Sequence, residues 1–289
     1  MKKNTIFAVE FANNRYHTAS IITMDRQENI DFCIRYLLEQ NHAEAAMAKK
    51  LREKQQVLRA LMNIWEPQPL SDEFLAAQDA ELQAQLKDKG VVRTRERLWQ
   101  GDITRLQVDA IVNAANSRGL GCWHPLHACI DNAIHSAAGL QLRAECADAM
   151  SGAECPKVHP EYTMGNTIYR EVFTSETIIT SGYNLPAKYV VHTVGPIVPD
   201  GIPTSEQEQQ LAWCYENCIG LAMANGCKSI AFCCISTGEY RFPNRRAAEI
   251  AINTVAKVLA QSSNNQIKVV FNVFKDIDYD IYRELLGTH

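Results

Sequence analysis

The sequence predicts an α/β fold, a largely parallel sheet with helices on both faces, preceded by a helical extension. Three observations carry this. From Val91 onward, short β-branched or apolar runs alternate with longer helix-like runs, the pattern of successive strand and helix units. From Asn29 to about Gly90 the chain is instead helical in character, rich in Ala, Leu, Glu, Lys and Gln. The 289 residues are 46% hydrophobic and 21% charged, which is ordinary for a globular chain and long enough for one large domain plus an extension. The expected division is 1–90 for the extension and 91–289 for the α/β domain.

In chain order, the extension offers the helical segments "IDFCIRYLLEQ", "AEAAMAKKLREKQQVLRALMNIW" and "SDEFLAAQDAELQAQLKDKG". Ser71 reads as the N-cap of the last and Gly90 as its stop. The strand-like runs that follow are "VDAIVNAAN", "YVVHTVG", "SIAFCCIS" and "IKVVFNVF". Between them lie the helix-like "IDNAIHSAAGLQLRAECADAM", "QEQQLAWCYENCIGLAMANG" and "RRAAEIAINTVAKVLAQ". The segment from Pro156 to Thr174 shows little periodicity and reads as an insertion loop.

A formal net charge of -4 and a pI near 6.1 remove the broad cationic field that nucleic acid or an anionic membrane requires, so neither is an expected partner. Arg93, Arg95 and Arg97 read as a solvated strand edge or linker rather than as a grip on polynucleotide phosphates. The opening "MKKNTIFAVEFANNRYH" is basic, but Glu10 and Asn13 interrupt its apolar run, and no export signal is read there. No stretch approaches the ~18 apolar residues of a bilayer span. The expectation is a cytoplasmic monomer whose ten cysteines are thiols or metal ligands rather than disulfides. Cys214, Cys218, Cys233 and Cys234 read as core.

Ligands of open α/β sheets collect beyond the carboxyl ends of the strands. There the sequence places Asp102 in a turn, Asn113 and Asn116 at a strand end, Gly195 before Pro196, and the turn Ser236-Thr237-Gly238 followed by Tyr240 and a helix from about Asn244. Amides of such a turn facing a helix start can hold a phosphate, although taken alone the turn is equally plain turn chemistry. The loop "GLGCWHPLHACID" adds Cys122, His127 and Cys129 in the spacing Cys-x4-His-x-Cys. Thiolate and imidazole suit zinc, and three protein ligands leave a fourth position open, whereas His124 as a fourth ligand would close it. The other reading is two buried thiols and two loop histidines without a metal. His135 lies a turn into the following helix, beyond Asp131.

The order "GDIT", "VDAIVNAAN", "AIHSAAG", "YVVHTVGP", "ISTGEYRFP" resembles the macrodomain family of ADP-ribose-binding proteins, from about Leu98 to the carboxyl end. That resemblance implies a three-layer α/β/α sandwich with a mixed, mostly parallel sheet and a cleft for ADP-ribose. It implies that Asp102, with Ile103 beside it, meets the adenine end, and that Asn116 contacts the distal ribose. Ser236, Thr237, Gly238, Glu239 and Tyr240 match the second phosphate-binding loop, and Phe274 is either an adenine-stacking ring or a core residue. Most members follow "NAAN" with consecutive glycines; the loop here instead resembles the zinc-dependent branch, which also carries a longer helical segment ahead of the domain. The resemblance then implies Zn2+ on Cys122, His127 and Cys129 beside the distal ribose, and hydrolysis that frees ADP-ribose from mono-ADP-ribosylated proteins. In that reading Asn116 orients the ribose and Asp131 orients the attacking water or acts as general base, although an Asp at a helix start is also a normal cap. The branch acts in some settings on a lipoyl-carrier protein modified by a sirtuin-like transferase. Two alternatives stay open: a non-catalytic ADP-ribose reader, and a hydrolase of a small derivative such as O-acetyl-ADP-ribose or ADP-ribose 1″-phosphate.

Overall fold

A computed structural model describes residues 25–43, 48–151, 159–261 and 267–287. The stretch on which the export-signal reading rests therefore lies outside the described residues, as do 44–47 of the second expected helix and 156–158 of the expected insertion.

Three helices come first: α1 (Arg26–Gln40), α2 (Leu51–Asn63) and α3 (Asp72–Lys89). Asp25 caps α1 in a reciprocal capping box with Glu28. Ser71 caps α3 by accepting from the Phe74 amide, and Gly90, at φ 77°, ends it with its N–H on the Leu86 carbonyl. The three helices, with Trp65 after α2 and Leu140 of the α/β part, bury Ile30, Ile34, Leu37, Leu58 and Phe74 in a core separate from that of the sheet. Glu81 is buried there too, and Arg26, Gln55 and Gln85 donate to its carboxylate, which offsets its desolvation.

The α/β part contains β1 (Leu98–Gln100), β2 (Ala110–Ala114), α4 (Ile130–Ala138), α5 (Leu140–Ser151), β3 (Glu161–Met164), β4 (Thr167–Arg170), β5 (Thr177–Ser181) and β6 (Tyr189–Thr193). It continues with α6 (Ser205–Ala224), β7 (Ser229–Phe232), α7 (Asn244–Gln261), β8 (Lys268–Val273) and α8 (Asp276–Leu286). Six strands form one sheet in the order β1-β8-β7-β2-β6-β5, parallel except for β5, which runs antiparallel to β6. This is the expected mixed, mostly parallel sheet, with a helical region ahead of it. The inner strands β2, β6 and β8 are buried almost throughout, which is why they read as continuous apolar runs. Cys214, Cys218 and Cys233 are buried in the main core as expected, and Cys234 is partly buried against it. Among the described residues no helix is long and apolar enough to cross a membrane.

Several expectations change. Residues 156–174 are not a featureless insertion, because Glu161–Arg170 forms the two-stranded β3–β4 hairpin. Its turn is the pair Gly165-Asn166, with Gly165 at φ 57°, a short hairpin signal that the faint burial of the flanking strands obscures. The helix expected from Ile130 to Met150 breaks at Gly139, φ 104°, where a Cβ would lie 2.6 Å from Gln141 Oε1 and 2.8 Å from Gln78 Nε2. The second expected helix starts only at Leu51, since residues 48–50 are not helical. Arg93, Arg95 and Arg97 are exposed on the connection into β1.

Because β1, β2, β6, β7 and β8 are mutually parallel, the loops after all five open on one edge of the sheet. The fold thereby brings Asp102, the 115–129 loop, Gly195, Ser236 and Phe274 together.

Candidate active site

These loops enclose one cleft of about 1500 Å³, lined by Asp102, Ile103, Asn116, Cys122, His127, Cys129, Asp131, Ser236 to Tyr240 and Phe274. Apart from the buried Asn113, the site residues picked out from the sequence thus share one cavity, and α2 and α3 add Arg52, Arg59 and Lys89 to its wall.

At the β1 end, Asp102 caps a single turn of 3-10 helix (Ile103–Arg105), accepting from the Thr104 amide at 3.0 Å and its hydroxyl at 2.6 Å. Its other oxygen faces Lys89 Nζ at 3.4 Å. Ile103 is 1% exposed and its side chain belongs to the main core. Phe274 follows β8 and is 75% exposed at the rim, which excludes the core reading of this ring.

After β7, Ser236 takes φ 65°, uncommon for a residue with a side chain, and its buried Oγ has no hydrogen-bond partner. Gly195 packs against it so closely that a Cβ there would lie 2.0 Å from Ser236 Oγ. Gly238 has open space around it, and the turn leads through Pro243 into α7. The arrangement offers amides and a helix amino end to an anion.

Below the turn after β2, Asp131 is not the cap of α4. Cys129 is the N-cap, its Sγ accepting from the Asn132 amide at 3.4 Å, and Asp131 points inward, 4% exposed. Asn113 Nδ2 donates to Asp131 Oδ1 at 2.7 Å and Asn116 Nδ2 to Oδ2 at 3.1 Å. Burial raises the carboxyl to about 6, against the opposing pull of those two amides and of Arg143. Asn116 also donates to the Gly121 carbonyl and accepts from the Arg118 amide, so in this state its amide is occupied by protein partners. Asn113, placed at the strand end by the sequence, is given no role there; its role as a donor to Asp131 emerges only from the fold, although a polar residue inside the apolar run "AIVNA" is its signal.

The donor atoms of Cys122, His127 and Cys129 lie within 4.8 Å of one another, with Cys122 Sγ 3.5 Å from His127 Nδ1. Burial, with Asp131 and Cys122 nearby, raises the Cys129 thiol to about 12. A soft cation is the partner that would ionise it, so the donor set fits zinc in chemistry and number. His124 is not one of the converging donors; its ring lies 5.8 Å from that of His127. Glu239 reaches across from the β7 loop to within 3.7 Å of His127 Nε2.

A second cluster, His135, Cys146 and His192, is fully internal. Asn113 Nδ2 is a donor to Asp131, so His192 Nδ1, 3.1 Å away, must accept; Nε2 then carries the proton and donates to Thr180 Oγ1 at 2.9 Å. With both nitrogens engaged, His192 is a neutral scaffold for Asn113 rather than a metal ligand. His135 Nε2 approaches Asp131 Oδ1 at 3.5 Å, but burial, His192 and Arg143 keep the imidazole neutral, so this is no ion pair.

A profile of the Macro domain family matches residues 112–251. A protein-ADP-ribose hydrolase of Treponema medium is 43% identical over 280 residues, 91% of this chain and 100% of the relative. A protein-ADP-ribose hydrolase of Staphylococcus aureus (strain MSSA476) is 42% identical, over 87% of this chain and 94% of the relative. Among solved structures, the Oceanobacillus iheyensis macrodomain with ADP is 38% identical with a TM-score of 0.54, covering 66% of this chain and 88% of that one. The Trypanosoma brucei macrodomain in complex with ADP-ribose is 28% identical with a TM-score of 0.56, covering 83% and 97%.

Proposed function

The chain belongs to the macrodomain family, and from that premise we propose that it is a zinc-dependent hydrolase that removes mono-ADP-ribose from modified proteins and releases ADP-ribose. The observation that carries the reading is the juxtaposition of two elements in one cleft: the Cys122, His127 and Cys129 donors, and the buried Asp131 held between Asn113 and Asn116. The names of the relatives support hydrolysis, and the cleft accommodates a nucleotide-sized ligand.

In this reading Asp102 accepts from the adenine amino group while Phe274 covers the ring. The Ser236–Tyr240 amides at the head of α7 take the pyrophosphate. Binding energy from these remote groups places C1″ of the distal ribose beside Asp131 and Asn116. Asp131, anionic above about pH 6, accepts a proton from a water that attacks C1″. The bond from C1″ to the acceptor side chain breaks, and the proton ends on the departing side chain. Asn113 holds one carboxylate oxygen, leaving Asn116 to exchange its own bond to Asp131 for a ribose hydroxyl. Cys122, His127 and Cys129 would hold the zinc, which when bound would supply Lewis acidity that acidifies water and offsets negative charge on the leaving group. Glu239 faces the far side of His127 and orients its ring. The acceptor is a protein side chain, with a lipoyl-carrier protein as the target to try first.

The test is release of ADP-ribose from a panel of mono-ADP-ribosylated proteins, the lipoyl carrier included, and from O-acetyl-ADP-ribose, by wild type and by C122A/C129A. Metal content and ADP-ribose binding are measured on the same samples. Release by metal-loaded wild type, lost in the variant while ADP-ribose still binds, is the expected result. Binding without release from any panel member defeats the hydrolase reading in favour of a reader, and release confined to O-acetyl-ADP-ribose shifts the substrate class.

A further inference from the structure

The Cys122–Cys129 loop has no regular secondary structure, and its backbone is pinned from outside the α/β domain. Arg59, on α2, donates to Asn132 Oδ1 through Nε at 3.0 Å and Nη2 at 2.6 Å, and to the His127 carbonyl at 3.2 Å. Asn132 passes this on, donating from Nδ2 to the His124 carbonyl and from its amide to Cys129 Sγ. Asn63, the last residue of α2, accepts from the Leu126 amide at 3.0 Å and donates to Ser136. Leu126 is at φ 58°, a conformation that a branched side chain holds only when its surroundings fix it, and the Asn63 contact falls on that residue. At the near end of the loop, Arg143 of α5 binds the Met62, Asn63 and Trp65 carbonyls and reaches the Cys122 carbonyl at 3.4 Å.

We propose that α2 is part of the metal site: Arg59 and Asn63 are positioning residues that hold the Cys122–Cys129 loop in ligating shape. The inference rests on the zinc reading above. Its chemistry is that of hydrogen-bonded groups around the ligands, which fix where the donors point and how tightly the metal is kept. Arg59 is suited to the task because its planar fork spans two acceptors at once, and lysine cannot. A helix that only braced the sheet would not place two polar side chains on successive segments of one ligand loop.

The experiment uses the full chain as wild type, Arg59→Lys and Asn63→Ala, each loaded with one equivalent of zinc. Transfer of zinc to excess chromophoric chelator is timed, the visible spectrum of each cobalt-substituted form is recorded, and ADP-ribose binding is measured on the metal-free proteins. The expected result is zinc release faster by about tenfold or more in both variants, in line with losses seen for such surrounding groups. The cobalt bands shift in both variants, and ADP-ribose affinity is unchanged in Asn63→Ala, whose side chain lies outside the cleft lining. If wild type takes up metal but release and spectra are the same in both variants, α2 has no such role and the zinc reading stands. If wild type takes up neither zinc nor cobalt, both fail together. Loss of ADP-ribose binding in both variants marks a general structural role and overturns positioning.

Discussion

Asp131 enters α4 as its second residue, yet its carboxylate is turned from solvent toward Asn113 and Asn116, and burial lifts it to about 6. A base must be ionised, so kcat/KM for ADP-ribose release is expected to rise with pH through about 6 and level off above it. Asn113→Ala removes a donor that favours the anion, which raises the carboxyl further and moves the rise to higher pH. A pH–rate profile of the two proteins reads this directly, and superimposable profiles would exclude Asp131 as the titrating base. Asp131→Ala is expected to lower kcat by about 10²–10⁴-fold, the range of general-base catalysis, with bound zinc unchanged. Full activity in that variant assigns the base elsewhere.

At the scale of elements, the turn after β7 depends on the end of β6. Gly195 leaves room for Ser236, whose φ of 65° shapes the Ser236–Tyr240 turn, and a Cβ at 195 would lie 2.0 Å from Ser236 Oγ. Gly195→Ala is expected to weaken ADP-ribose binding by at least about tenfold, roughly 1.4 kcal/mol, while the protein stays folded by circular dichroism. Equal affinity by calorimetry would show that the turn does not hold the pyrophosphate. The same scale explains what the sequence made legible. β2, β6, β7 and β8 announce themselves because both faces are covered and most positions are apolar, with Asn113, His192 and Asn272 as polar exceptions. β1, three residues long at the sheet edge, and the half-buried β5 carry no comparable run. The Cys-His-Cys spacing was readable because its three donors sit within eight residues on one loop. The contacts of Arg59 with Asn132, and of Asn113 with Asp131, were not, because they exist only once separate elements dock.

For the whole molecule, a helical layer stands beside the sheet and joins it through the ligand loop, through Leu140 to Arg143 of α5 and through Asn184, while five strand ends supply the rest of the cleft. A ligand that binds only the folded state adds stability by mass action, so ADP-ribose at 100 times its Kd is expected to contribute about 2.7 kcal/mol. A thermal melt that ADP-ribose leaves unmoved would contradict its binding to the folded chain. The most direct measurement is a zinc titration of chelator-stripped protein against the rate of ADP-ribose release from a mono-ADP-ribosylated protein, with bound zinc counted at each point. The predicted result is a rate that climbs in proportion to occupancy and stops at one zinc per chain. A rate already maximal in the stripped protein, or one indifferent to zinc, contradicts a zinc-dependent hydrolase.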